Sequence, residues 1–134
     1  MHQPHTSANQ PNIRVLVVDD IVETRENLRK ILYYEDAIEV LGAAANGEQG
    51  IQMTVELQPD IVLIDVNMPA MDGITAAQRI IEQVPVTRVI LMFTKDEDNY
   101  RQRSDLAGAK AYLIKPFPAD ELVATIHRVC QPRS

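Results

Sequence analysis

Four apolar residues, Ile61-Val62-Leu63-Ile64, run directly into a carboxylate, Asp65, and Asn67-Met68-Pro69 then turns the chain. A short unbroken apolar run of this kind reads as a strand buried on both faces, as in a parallel sheet. The carboxylate stands where burial stops, at the strand's carboxyl end. In open α/β sheets that edge is where ligands bind.

The same grammar recurs. Val15-Leu16-Val17-Val18, Val89-Ile90-Leu91-Met92-Phe93 and Ala111-Tyr112-Leu113-Ile114 are strong runs, and Ile38 to Ala45 is a weaker one. Helix-length segments separate them. Leu28, Ile31 and Leu32 give the first an apolar face, and Ile51 and Val55 mark the second. Ile74, Ala77, Ile80, Ile81 and Val84 recur at helical spacing in the third, as do Leu122, Val123, Ile126, Val129 and Cys130 in the last. Asp120 and Glu121 fall in the first turn of the last helix, where the helix dipole favours negative charge. The segment Asp96–Ala107 is nearly all polar, with Tyr100, Leu106 and Ala107 as a thin stripe. It reads as a weakly anchored helix, and weakly anchored elements move most easily. Five β-α repeats predict an α/β domain, a parallel sheet with helices on both faces, over residues 13–131.

Residues 1–12 form a polar stretch expected to be a disordered tail, and 132–134 a short C-terminal tail. His2 and His5 lie in that first stretch without partner carboxylates, so they do not predict a metal site. The 134 residues suffice for one domain, and 46% are apolar, which argues against disorder. No apolar run reaches membrane-span length and no signal-peptide core is seen. The single cysteine, Cys130, cannot form an internal disulfide and fits a cytoplasmic setting. A net charge of −6 without a basic cluster predicts no direct binding of nucleic acid.

The residues after the buried runs carry the chemistry. The first run ends in Asp19-Asp20, the third in Asp65, the fourth in Thr94 and the fifth in Lys115-Pro116. The weak second run ends in Asn46-Gly47, an ordinary turn signal. In a parallel sheet the four informative ends meet at one edge. Taken singly, each aspartate or threonine there could be a helix cap and the lysine a solvated cation. Capping does not require a lysine opposite three acids, however. Three carboxylates need a cation to stay ionised together. An all-oxygen donor set favours Mg²⁺, Mn²⁺ or Ca²⁺ over Zn²⁺. Mg²⁺ with an ammonium and a hydroxyl suits a phosphoryl group.

Val15-Leu16-Val17-Val18-Asp19-Asp20, Asp65-Val66-Asn67-Met68-Pro69-Ala70-Met71-Asp72-Gly73, Thr94 and Lys115-Pro116-Phe117, in this order, resemble the receiver domain of response regulators in two-component signalling. The resemblance covers Ile13 to Gln131. It implies a flavodoxin-like (βα)5 three-layer sandwich of strand order 2-1-3-4-5. Asp65 would accept a phosphoryl group from a sensor histidine kinase or phosphotransfer protein. Asp20, Asp65 and the backbone carbonyl of Asn67 would bind Mg²⁺ (or Mn²⁺), with Asp19 assisting directly or through water. Lys115 would pair with the phosphoryl oxygens, Thr94 would hydrogen-bond them, and Tyr112 would be the switch aromatic. The Lys115-Pro116 bond would be cis, and Asp72-Gly73 would turn into the third helix. The fourth helix, fifth strand and last helix would form the output face and a homodimer surface, acting on a downstream protein or a fused effector domain. The only catalysis implied is of the chain's own phosphorylation and dephosphorylation.

Two positions depart from the family pattern. Lys95 stands where a small residue is common; its stem either lies in solvent or overhangs the site and slows entry of donors or water. Pro118 replaces an ordinary Ser or Thr cap and suits a first helical turn. An aspartate-nucleophile phosphatase would carry Asp-x-Asp-x-Thr, but this chain has Asp65-Val66-Asn67. A flavin-binding relative would need a phosphate loop after the first strand. A phosphorylation-independent module would lack Asp20, Asp65 or Lys115. The chain is therefore expected to be a stand-alone regulator or a receiver cut from a longer protein.

Overall fold

The computed structural model describes residues 12–94 and 98–131. Elements alternate as expected: β1 (Ile13–Val18), α1 (Val22–Tyr33), β2 (Ile38–Ala44), α2 (Gly47–Leu57), β3 (Ile61–Asp65), α3 (Gly73–Gln83), β4 (Arg88–Phe93), α4 (Asp98–Ala107), β5 (Ala111–Ile114) and α5 (Ala119–Cys130). All strand pairs are parallel, in the order β2-β1-β3-β4-β5. β1, β3 and β4, whose apolar runs are wholly buried, lie in the middle. The weaker β2 and the short β5 take the edges. β2 carries a register shift opposite Val15/Leu16, which leaves Leu41 outside the pairing.

Side-chain alternation divides the strands between two cores. Leu16, Val18, Val62, Ile64, Val89, Leu91 and Phe93 meet α2 and α3 on one face. Val15, Val17, Ile61, Leu63, Ile90, Met92 and Leu113 meet α1 and α5 on the other. Each such side chain contributes roughly 1.5–3 kcal/mol by leaving water, so the central strands are the most firmly held part of the molecule. The loops have specific anchors. The Arg14 guanidinium donates to the carbonyls of Leu57 and Gln58 at 2.8 Å each, closing the carboxyl end of α2. Thr87 Oγ1 donates to the Pro59 carbonyl at 2.7 Å.

Several expectations are corrected. Val55 faces solvent; α2 buries Ile51, as expected, together with Gly47, Gly50 and Thr54. Asn46-Gly47 is a helix start rather than a plain turn, because the Asn46 side chain accepts the Gln49 amide. Pro118 is the N-cap of α5, one position before the first turn. Leu106 is 81% exposed, so α4 is anchored through Tyr100, Ala107 and the fully buried Ser104. Lys95, the Asp96 start proposed for that helix and most of both tails lie outside the described residues.

Candidate phosphoacceptor and metal site

The carboxyl ends of β1, β3, β4 and β5 bring Asp19, Asp20, Asp65, Thr94 and Lys115 to one edge. One carboxylate oxygen from each of Asp19, Asp20 and Asp65 lies within 4.8 Å of the others. Asp19 is fully buried; its Oδ1 accepts the Ile21 amide at 2.9 Å and its Oδ2 accepts Lys115 Nζ at 3.0 Å. The first of these bonds satisfies the amide of Ile21, the N-cap residue of α1, whose own side chain caps nothing. Asp20 is exposed at the mouth. Asp65 is only 3% exposed. Lys115 Nζ also lies 3.0 Å from Asp65 Oδ1 and forms an ion pair with it. Burial holds the Asp65 carboxyl above the usual carboxylate range; Lys115 opposes the rise and Asp19 and Asp20 add to it. Burial alone would lower the Lys115 ammonium, but the Asp19 and Asp65 carboxylates outweigh it and hold it above its ordinary range.

Three carboxylates that converge on one point, two of them buried, are an all-oxygen donor set for a hard divalent cation. Asp19, with both oxygens engaged, is the least available of the three; Asp20 and Asp65 are the better placed to hold an ion.

The β3–α3 loop fixes this edge. Asp72 caps α3 by accepting the Thr75 amide at 2.9 Å. Gly73 is required by space: a Cβ there would collide with the carbonyl oxygen of Asp65. Ala70 sits in the left-handed region at φ 69°. The Lys115-Pro116 bond is cis. Thr94 is exposed, and its Oγ1 lies 3.5 Å from Asn67 Nδ2. Tyr112 is half-buried, with its ring 5.4 Å from that of Phe93 and the Arg101 guanidinium 5.7 Å above it. The residues foreseen from sequence thus gather at one edge, except Tyr112, which lies behind it on β5.

Two neighbours were not foreseen. Arg25 donates to the Asp19 carbonyl at 2.7 Å and steadies the acidic turn; its place one turn into α1 was the available signal. Tyr100 donates to Asn67 Oδ1 at 3.0 Å. It was noted only as part of a thin apolar stripe. A groove of about 790 Å³ between α1 and the segment after β5 opens beside Thr94 and Lys115, lined also by Asn27, Leu28, Ile31 and Phe117. A second groove, about 660 Å³, lies between α1 and the β2 edge and includes none of the site residues.

A family model described as the response regulator receiver domain matches residues 15–127. The chain belongs to this family. Among relatives, this receiver domain is 37% identical over 113 residues to the uncharacterized transcriptional regulatory protein YhcZ of Bacillus subtilis, covering 84% of this chain and 53% of that protein. It is 36% identical over 117 residues to the response regulator GacA of Pseudomonas viridiflava, covering 87% and 55%. The chain spans about half the length of these relatives. The signal receiver domain of the putative response regulator NarL from Mycobacterium tuberculosis superimposes with a TM-score of 0.86 at 28% identity, covering 92% of this chain and 99% of that one. The response regulator domain of Thermotoga maritima CheB does so with a TM-score of 0.82 at 30% identity, covering 90% and 99%. No helix among the described residues is long and apolar enough to cross a membrane.

Proposed function

We propose that this receiver domain is a phosphorylation-activated switch whose phosphoacceptor is Asp65. The observation that carries the reading is the convergence of the Asp19, Asp20 and Asp65 oxygens within 4.8 Å, with Lys115 Nζ 3.0 Å from two of those carboxylates. An Asp65 carboxylate oxygen attacks the phosphorus of a phosphohistidine on a sensor kinase or phosphotransfer protein. The P–N bond breaks, the imidazole takes the leaving electron pair, and Asp65 becomes an acyl phosphate. Water later attacks the same phosphorus and restores the carboxylate, so the signal decays.

Asp20, Asp65 and the Asn67 backbone carbonyl would hold Mg²⁺, with Mn²⁺ as a substitute and Asp19 assisting. The ion would keep Asp65 ionised against its burial and neutralise charge on the phosphoryl oxygens. Lys115 pairs with those oxygens and Thr94 donates to one of them. The groove beside Lys115 gives a donor a path to the site. The phosphoryl group adds about 1.5–2 negative charges, which draws Thr94 and then Tyr112 inward and alters the face of α4, β5 and α5. That face controls a downstream protein or a fused effector domain and is the surface on which two copies pair. The domain binds neither nucleic acid nor membrane itself, acts in the cytoplasm, and catalyses only its own phosphorylation and dephosphorylation.

Mg²⁺-dependent labelling by acetyl phosphate, read by intact mass, tests this. Wild-type gains one phosphoryl group and Asp65→Asn gains none; equal uptake by the variant refutes the assignment.

A further inference from the structure

α4 is held by little apolar surface, yet two of its polar ties reach the same short loop. Tyr100 Oη donates to Asn67 Oδ1 at 3.0 Å, and Arg103 Nη2 lies 3.3 Å from Asp72 Oδ2. Asn67 and Asp72 bracket the loop that leaves Asp65. The Tyr100 ring packs on Phe93 at 5.3 Å, and the Tyr100 carbonyl accepts the hydroxyl of buried Ser104 at 2.6 Å. The hydroxyl that meets Asn67 is thus presented from a ring already fixed by packing. The other end of the Asn67 amide lies 3.5 Å from Thr94 Oγ1, so one side chain touches both α4 and the hydroxyl at the end of β4.

We propose that Tyr100 is a positioning residue for the phosphoacceptor site: its hydroxyl fixes Asn67 and ties α4 directly to the loop that follows Asp65. This rests on the reading that the Asn67 carbonyl and Asp65 hold a divalent cation. Because the side chain and the carbonyl belong to one residue, immobilising the first restricts the second. Binding linkage is reciprocal. An ion that favours the fixed position of Asn67 favours the Tyr100 bond, and therefore slows opening of α4. Tyr100 reaches the site from α4 itself, and meets Thr94 only through the Asn67 side chain.

The test compares wild-type with Tyr100→Phe, which keeps the packed ring. Mg²⁺ affinity is measured by titration calorimetry, and α4 amide exchange is followed with and without saturating Mg²⁺. A hydrogen bond of ordinary net strength corresponds to roughly a 2- to 12-fold change in an equilibrium constant. The expected results are Mg²⁺ binding weakened within that range and α4 exchange slowed by Mg²⁺ in wild-type only. Asn67→Ala, which removes the acceptor, is expected to abolish any further effect of Tyr100→Phe on Mg²⁺ affinity. A purely structural tyrosine would speed α4 exchange but leave Mg²⁺ affinity and the Mg²⁺-dependent slowing intact, and that result overturns the proposal. If wild-type binds Mg²⁺ and takes up phosphoryl while Tyr100→Phe is indistinguishable, the proposal alone falls. If wild-type does neither, the phosphoacceptor reading falls and takes this inference with it.

Discussion

Replacing Lys115 by Met tests the electrostatic design of the site, because it keeps a linear side chain and removes only the charge. Lys115 Nζ lies 3.0 Å from one oxygen of Asp19 and one of Asp65, and its side chain is 19% exposed. At an effective dielectric constant of about 20, each contact has a gross attraction of ~5 kcal/mol, much of it offset by desolvation of the charges. Removing the cation strands two buried carboxylates, and breaking a buried pair from one side costs about 3–5 kcal/mol. For a domain of this size that is a fall in Tm of roughly 10–20 °C, measured at pH 7 in EDTA. The pH dependence gives a second signature. Asp65 already has a raised folded-state pKa, and losing Lys115 raises it further. An acid raised on folding contributes stability below its unfolded value, near 3.8, that is lost as pH rises through the folded value. The variant should therefore lose stability more steeply than wild-type between acid and neutral pH. For wild-type, the Lys115 contribution is fully present below 10.5 and is lost only as pH rises through its higher folded value. The gap between the two proteins should thus persist up to about that pH and close beyond it. A variant melting within about 3 °C of wild-type at pH 7, with a parallel pH profile, would refute this account.

Asp65→Asn removes a carboxylate whose burial disfavours its charge, so Tm in EDTA should rise at neutral pH and show no gain below the carboxylate range; calorimetry across pH 3–8 checks the sign. Gly73→Ala should cost about 3 kcal/mol, because backbone must yield to the new methyl; it should also slow phosphorylation by acetyl phosphate, since the atom displaced is the Asp65 carbonyl oxygen. Ala70→Gly relieves a left-handed alanine and should stabilise by about 1 kcal/mol in urea unfolding. Asp72→Ala, which loses the α3 cap and the Arg103 pair together, should destabilise by about 1–2 kcal/mol.

The runs at β1, β3 and β4 were legible because strands buried on both faces admit no polar residue until they emerge, so their last apolar residue also locates the edge. β2 was harder to read because only Ile38 and Ala44 are buried, as suits an edge strand. Asp65 alone looks like a cap; Asp72, seven residues later, is the true cap of the next helix. Asp19 and Lys115 were readable as neighbours, but not the engagement of both Asp19 oxygens, which depends on the Ile21 amide. The Tyr100–Asn67 bond joins residues 33 apart across α3 and β4, and no periodicity reports such a distance. Leu106 misled because hydrophobicity alone does not say which way a marginal helix is rolled.

The sheet also works as a partition. The buried clusters on its two sides have no residue in common, and the edge that carries Asp19, Asp65 and Lys115 is where both sides come within reach of the same atoms. Evolution or an engineer could therefore repack the core under α1 and α5 while leaving the core under α2 and α3 untouched. The two cores could drift independently, constrained to agree only at the few residues where the strands end.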